Sequence, residues 1–186
     1  GEEGEFDAQL TITSNDAADS TAIVNLAARV GDVIPNSGVR INEFMASNGL
    51  TLSDGDGNSS DWIEIYNAGP GVADLTGYYL TDQMGNLEKW RFPSSTTIPA
   101  NGYLLVFASG QSSDDYVDAG GFLHTNFRLG TSGEYLALVE GNGVTLVSEF
   151  APTFPPQFND VSYGAFQSGG KDAKLYANTV PRVLIH

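Results

Sequence analysis

The sequence predicts an all-β fold: an antiparallel β-sandwich with an extra N-terminal β-hairpin. Three observations predict it. Apolar residues recur with a period of two rather than 3.6. The 22 glycines and 8 prolines are spread along 186 residues and place turns between short apolar runs. No segment of ten or more residues carries an amphipathic helical pattern.

The elements follow in order. Phe6 to Thr13 sets Leu10 and Ile12 on one face and Gln9, Thr11 and Thr13 on the other. The polar turn Ser14–Ser20 leads to a second strand over Ala22–Ala28, with Ala22, Val24 and Leu26 inward. Gly31–Gly38, with Pro35-Asn36-Ser37-Gly38, reads as a linker. Two strands alone bury too little surface to be stable, so residues 1–34 either pack on the main domain or end a preceding one. Strands resume at Val39–Met45 and, after the polar loop Ser53–Ser60, at Asp61–Asn67. There Ile63 and Ile65 share one face, and Trp62, Glu64 and Tyr66 the other. Short strands follow at Gly77–Thr81 and Lys89–Phe92, the second ended by Pro93. Tyr103–Ala108 is apolar throughout, as expected of a strand covered on both faces. Ser109–Gly121 is a polar loop. The runs Glu134–Glu140 and Val144–Ser148 flank Gly141-Asn142-Gly143, which predicts a hairpin. Pro152, Pro155 and Pro156 make the next segment irregular, and Val161–Gly164 is the last strand. The expected organisation is a hairpin at 1–34, a sandwich at 38–165 and a tail at 166–186.

Charge excludes several functions. Eight Lys and Arg against 23 Asp and Glu leave a formal charge of −15 and a pI near 4.1. No two of the bases adjoin. Binding of nucleic acid or of anionic lipid needs clustered cations, so neither is expected. At 41% hydrophobic residues the chain is too apolar for a disordered acidic segment. With no cysteine there is no thiol nucleophile, thiolate metal site or disulfide. No apolar run is long enough to span a membrane. The opening Gly1-Glu2-Glu3-Gly4-Glu5 has no signal-peptide character, so the chain is expected to start inside a larger protein.

A series of blocks carries a family resemblance. It begins with Ile41-Asn42-Glu43-Phe44-Met45-Ala46-Ser47-Asn48 and Asp61-Trp62-Ile63-Glu64-Ile65-Tyr66-Asn67. It continues with Asp74-Leu75-Thr76-Gly77-Tyr78-Tyr79-Leu80-Thr81-Asp82, Trp90-Arg91-Phe92-Pro93 and Ile98-Pro99-Ala100-Asn101-Gly102-Tyr103-Leu104-Leu105-Val106. His124-Thr125-Asn126-Phe127-Arg128-Leu129, Gly133-Glu134-Tyr135-Leu136-Ala137-Leu138 and Asp160-Val161-Ser162-Tyr163-Gly164 complete it. In order and spacing the series resembles the bacterial branch of the lamin tail domain family. The resemblance implies an immunoglobulin-like β-sandwich without catalytic residues. It also implies a place in a large secreted or surface-attached bacterial protein, where such domains are inferred to adhere or tether. Leu10–Asp16 and Ile23–Leu26 are similar to the closing hairpin of bacterial immunoglobulin-like repeats of the choice-of-anchor and spindle-protein-like type. After Gly164, Lys171–His186 departs from the family's usual ending.

Each candidate site has a competing structural role. Asp54, Asp56, Asn58 and Asp61 place oxygen ligands at the spacing calcium favours, and Gly55 and Gly57 permit a tight bend. It is not an EF-hand: counting from Asp54, the sixth position is Ser59 and the twelfth Ile65. A turn of good turn residues is the competing reading. His124, inside a matched block, is expected to be structural and to bond a nearby backbone group, since no Gly-x-Ser-x-Gly elbow accompanies it. Asp114, Asp115 and Asp118 are expected in a solvated loop, not as a glycosidase pair, because a general acid needs an apolar setting. Trp62, Tyr66, Tyr78, Tyr79, Trp90, Phe92, Tyr103 and Phe107 fill a core or, less favoured, form a glycan-stacking platform. The functional expectation is a non-catalytic adhesion or tethering module, extracellular or at the cell surface. Its expected partners are neighbouring domains of the same polypeptide and a protein or glycan. The alternative is an accessory glycan- or substrate-binding module of a secreted hydrolase.

Overall fold

Runs rich in Ile, Val, Leu and aromatic residues become strands, because those side chains pack well on a pleated surface. The structure is a computed structural model. It describes residues 4–13, 21–30, 38–113, 115–166 and 173–177, with side chains described over 38–113 and 115–164. Asp114, the turn at 14–20, most of the 31–38 linker, and Lys171 and His186 of the tail lie outside the described residues.

The chain divides into two units, residues 1–36 and 37–186. In the first, β1 (Gly4–Thr13) and β2 (Thr21–Val30) form an antiparallel hairpin. Its register sets Leu10 opposite Val24 and Ile12 opposite Ala22.

The second unit holds β3 (Val39–Met45), β4 (Asp61–Asn67), β5 (Ala73–Asp74), β6 (Tyr79–Thr81), β7 (Trp90–Arg91) and β8 (Thr97–Ile98). β9 (Tyr103–Ala108), β10 (Leu123–His124), β11 (Leu136–Val139), β12 (Leu146–Phe150), β13 (Ser162–Phe166) and β14 (Ala173–Ala177) complete it. Six strands form one sheet in the order β10-β9-β4-β3-β13-β14, and four form the other, β12-β11-β6-β7. The pair β5 and β8 stands apart. Strand pairing is antiparallel except between β9 and β10, which run parallel. The chain therefore leaves the sheet after β9, makes the Ser109–Phe122 excursion and returns in the same direction.

The core between the sheets takes alternate residues of each strand. Ile41, Phe44, Ile63, Ile65, Val106 and Ala108 come from the six-stranded sheet; Leu80, Trp90, Leu136, Leu138 and Phe150 come from the other. Phe44 touches Phe150, Phe154 and Tyr163 at ring centroids of 5.1, 4.6 and 5.6 Å. The opposite faces are covered too. Met45, Trp62, Leu105 and Phe107 form a second cluster with Leu52 and Phe122, behind the six-stranded sheet. Tyr135, Ala137 and Val139 pack with Tyr79 and Leu87 behind the other. The two-faced reading of Asp61–Asn67 needs one amendment: Trp62 and Glu64 are as buried as Ile63. The same layer accounts for the unbroken apolar run of β9.

Four strands lie where the sequence reading placed none. β5, β8 and β10 are two residues long, too short for a period to register, and β14 lies in a tail with weak strand signals. The predicted hairpin forms, with β12 shifted towards Phe150 and the turn closed by Glu140 N–H to Thr145 O and Gly143 N–H to Glu140 O.

Candidate functional site

The densest polar chemistry lies where the 52–60 and 109–122 loops meet on the outer layer of the six-stranded sheet. Asp118 is its centre. The sequence Asp118-Ala119-Gly120-Gly121-Phe122 folds so that one carboxylate oxygen accepts from the amides of Gly120 and Phe122, both at 2.9 Å. The other accepts from the Gly55 amide at 2.6 Å and from His124 Nε2 at 3.1 Å. His124, on β10, uses its remaining nitrogen, Nδ1, on Ser109 Oγ at 2.8 Å. The imidazole is 1% exposed, stacked on Phe107 at 5.4 Å and edge-on to Tyr116 at 5.1 Å. Burial pushes the Asp118 carboxyl up, but the bonds from His124, Phe122, Gly55 and Gly120 outweigh it and hold the group below the usual carboxylate range.

Two expectations are corrected here. Asp118 is buried, not solvated; an acid that accepts four hydrogen bonds can afford to leave water. Its exposed neighbour Asp115 fits the solvated reading. His124 bonds side chains, Ser109 and Asp118, not backbone. Ser109, His124 and Asp118 thus form a Ser–His–Asp chain that the sequence reading missed. The sequence signal for Asp118 is an Asx turn, an Asp whose side chain caps amides two and four residues on, followed by two glycines.

The chain lacks the surroundings that acyl transfer needs. The amides after Ser109, which could form an oxyanion hole, are committed: Gly110 N–H to Phe127 O at 3.0 Å and Gln111 N–H to Thr125 O at 2.9 Å. The Ser109 carbonyl accepts from Arg128 Nε at 2.8 Å. What the arrangement does is fasten one loop to the other across the end of β9.

The four calcium candidates are distributed as follows. Asp54 is buried and caps its own loop. Its Oδ1 accepts from the amides of Asp56 and Asn58 at 3.1 and 2.8 Å, and its Oδ2 from Ser60 Oγ at 3.1 Å. The exposed Asp56 accepts from the Tyr116 hydroxyl, a bond that raises that phenol's pKa, and from the Ala119 amide at 3.4 Å. Asn58 is exposed and joins the loop through its backbone. Asp61 turns elsewhere: its oxygens accept from the amides of Asn48 at 3.4 Å and Leu129 at 3.3 Å. Burial raises its pKa against the pull of those amides and of Arg128. Among the described residues, no three His, Cys, Asp or Glu are placed to hold a metal ion. Gly55 ties the two loops through its amide, which donates to the Asp118 carboxylate, and packs against the Gly120 backbone. A Cβ there would stand 2.1 Å from the Gly120 nitrogen and 2.5 Å from Asp118 Oδ1.

A second clasp lies at Asp160, which holds a positive φ of 58°. Its Oδ1 accepts from the amides of Gly49 and Leu50 at 2.7 and 2.8 Å and from Thr51 Oγ1 at 3.1 Å; its own amide donates to Ser47 O at 2.8 Å. The Leu50 and Gly49 amides pull its carboxyl pKa down. On the clasped loops Leu50 is 91% exposed and Phe158 65%. The large aromatics lie elsewhere: Trp62, Trp90, Phe92 and Phe107 are buried and Tyr78, Tyr79 and Tyr103 half-buried.

Comparison with known protein families matches residues 33–152 to the Lamin Tail Domain, well over half of the chain. The chain belongs to the lamin tail domain family. Its two packed sheets are therefore an immunoglobulin-like β-sandwich, a non-catalytic kind of module. The match ends at residue 152, within the irregular segment before β13. No curated protein and no solved structure matches the chain.

Proposed function

We infer that this lamin tail domain is a non-catalytic adhesion or tethering module of a larger bacterial protein, secreted or held at the cell surface. On this reading residues 1–34 end a preceding immunoglobulin-like repeat, and the neighbouring domains are the first partners. The observation that carries the reading is the Asp160 clasp. It fixes two loops against each other and sets two of the seven exposed large hydrophobic residues among the described residues, Leu50 and Phe158, on them. Exposed apolar side chains on a preorganised backbone suit protein contact, since little ordering entropy is lost on binding. A protein partner is favoured over a glycan, because among the described residues Phe158 is the one aromatic left exposed, and a single ring makes no stacking platform for sugars.

The test has two arms. Deleting residues 37–186 from the parent polypeptide should release it from the cell surface into the medium, and unchanged retention would count against tethering. The purified chain should not hydrolyse p-nitrophenyl acetate above background. Turnover that disappears in Ser109→Ala would overturn the non-catalytic reading and make the Ser109–His124–Asp118 chain an active site.

A further inference from the structure

The loop whose Gly55 amide bonds Asp118 carries a second pattern. Asn58-Ser59-Ser60 is an Asn-x-Ser acceptor sequence for N-linked glycan, and no other Asn-x-Ser or Asn-x-Thr occurs in the 186 residues. Asp56 stands two positions before the Asn, giving Asp56-Gly57-Asn58-Ser59-Ser60. This is the extended acceptor form, whose acidic residue can be gripped by a cationic group of the transferase.

The fold treats these positions unequally. Asp56 is bonded to the Tyr116 hydroxyl and the Ala119 amide. The Ser60 hydroxyl donates to Asp54 Oδ2 at 3.1 Å, and Ser60 is half-buried. Asn58 keeps only backbone bonds, its amide to Asp54 Oδ1 and its carbonyl to the Asp54 amide at 2.8 Å. Its side chain points to no partner among the described residues, and the residue is exposed beside exposed Gly57 and Ser59. Gly57, with φ at 84°, has open space around the position a Cβ would take. The two flanking groups a transferase must read are thus tied into hydrogen bonds by folding, Ser60 half-buried and Asp56 exposed, while the nitrogen that would carry the sugar is left in water.

We propose that Asn58 is an N-glycosylation site, modified before the 52–60 loop folds onto Asp118 and retained outside the finished domain. The proposal rests on the secreted reading above, because the donor, a polyprenyl-diphosphate-linked oligosaccharide, is met on the exported side of a membrane. Asn58 Nδ2 attacks the anomeric carbon of that donor. The Nδ2–C1 bond forms, the C1–O bond to diphosphate breaks, polyprenyl diphosphate leaves, and one amide proton passes to a base of the transferase. The second amide proton stays on Nδ2. The folded chain loses no hydrogen bond, since that nitrogen makes none in the loop.

The test forces export, so that it does not depend on where the native protein resides. The full chain is placed behind a secretory leader in bacteria that carry an oligosaccharyltransferase and its lipid-linked donor. Intact mass and peptide sequencing should show one oligosaccharide per chain, on Asn58. The modification should vanish in Asn58→Gln, persist in Ser60→Thr and fall at least tenfold in Asp56→Ala. Asn58→Gln should melt at the unmodified wild-type temperature, which separates lost acceptance from lost folding. With purified transferase and donor, urea-unfolded chain should be modified and folded chain should be refractory. An exported chain without glycan, or glycan that survives Asn58→Gln, overturns the site. Equal modification of folded and unfolded chain overturns the order of events. Failure of the tethering reading would show instead in the deletion experiment, which uses no transferase.

Discussion

At Gly55 the absence of a side chain is the determinant. A methyl group there would drive into the Gly120 backbone and the Asp118 carboxylate, neither of which can swing away. Gly55→Ala should cost about 1–3 kcal/mol, as overpacking of a tight site does, read as a fall in urea midpoint. Gly57→Ala, in open space, is the control: it meets only the strain of its positive φ and should cost less. Asp118 sets the acid sensitivity. Its pKa in the folded chain lies below the unfolded value, so its contribution is present above about pH 4 and drains away as pH falls through the folded pKa. Asp160 acts in the same direction. Asp61 and Glu134, raised by burial, act oppositely and gain as they protonate. The melting temperature should fall between pH 5 and pH 3. In Asp118→Asn it should start lower at pH 7 and fall less, and an equal fall in both proteins would show that Asp118 is not responsible. The oxygen-rich Asp54 loop was visible in the sequence. That its oxygens serve its own amides was not, because both a cation site and an Asx turn call for Asp, Asn and Gly at the same spacing. A calcium titration checks the difference: with Asp54 so engaged, millimolar calcium should leave the melting temperature unchanged, and a rise lost in Asp56→Ala would assign the loop to the cation.

At the level of elements, strands of four or more residues with clear alternation were legible; of the two-residue strands only β7, inside Lys89–Phe92, was. β10 shows why. Leu123-His124 has no period of its own; the parallel pairing to Val106-Phe107 and the buried His124 bonds hold it. Strand β4 shows a subtler limit. Alternation identified Ile63 and Ile65 as one face but could not say that Trp62 opposite them is also enclosed, because the covering loops are remote in sequence. Trp62→Ala should therefore destabilise by about 3–5 kcal/mol, as much as Trp90→Ala in the inner core. Chemical denaturation of the two variants decides it: a loss under about 1 kcal/mol for Trp62, the scale of a surface change, would mean the outer layer is superficial.

Across the whole molecule, net charge works against the packing. Fifteen acids against four bases fall within residues 38–165, so the bias belongs to the domain itself. Self-repulsion of that size opposes compaction and is screened by salt over about 10 Å at 0.1 M. Raising sodium chloride from about 10 to 150 mM should raise the melting temperature at pH 7; no change would mean that the acids are individually neutralised by their hydrogen bonds. The fold class and the family were both readable from the spacing of short blocks, because a sandwich repeats a simple strand-and-turn grammar. Which loops would clasp each other was not, since Gly55 and Asp118, like Leu50 and Asp160, meet only in three dimensions.

The layers behind both sheets have a geometric consequence. An immunoglobulin-like domain with a bare sheet can lie flat against a partner, broad side to broad side. Here Met45, Trp62, Leu105 and Phe107 on one side, and Tyr135, Ala137 and Val139 on the other, are already roofed. Over the described residues, the large apolar side chains left exposed lie on loops and on the edge strand β12. A domain built this way offers apolar contact at loop tips and one strand edge rather than across its broad faces.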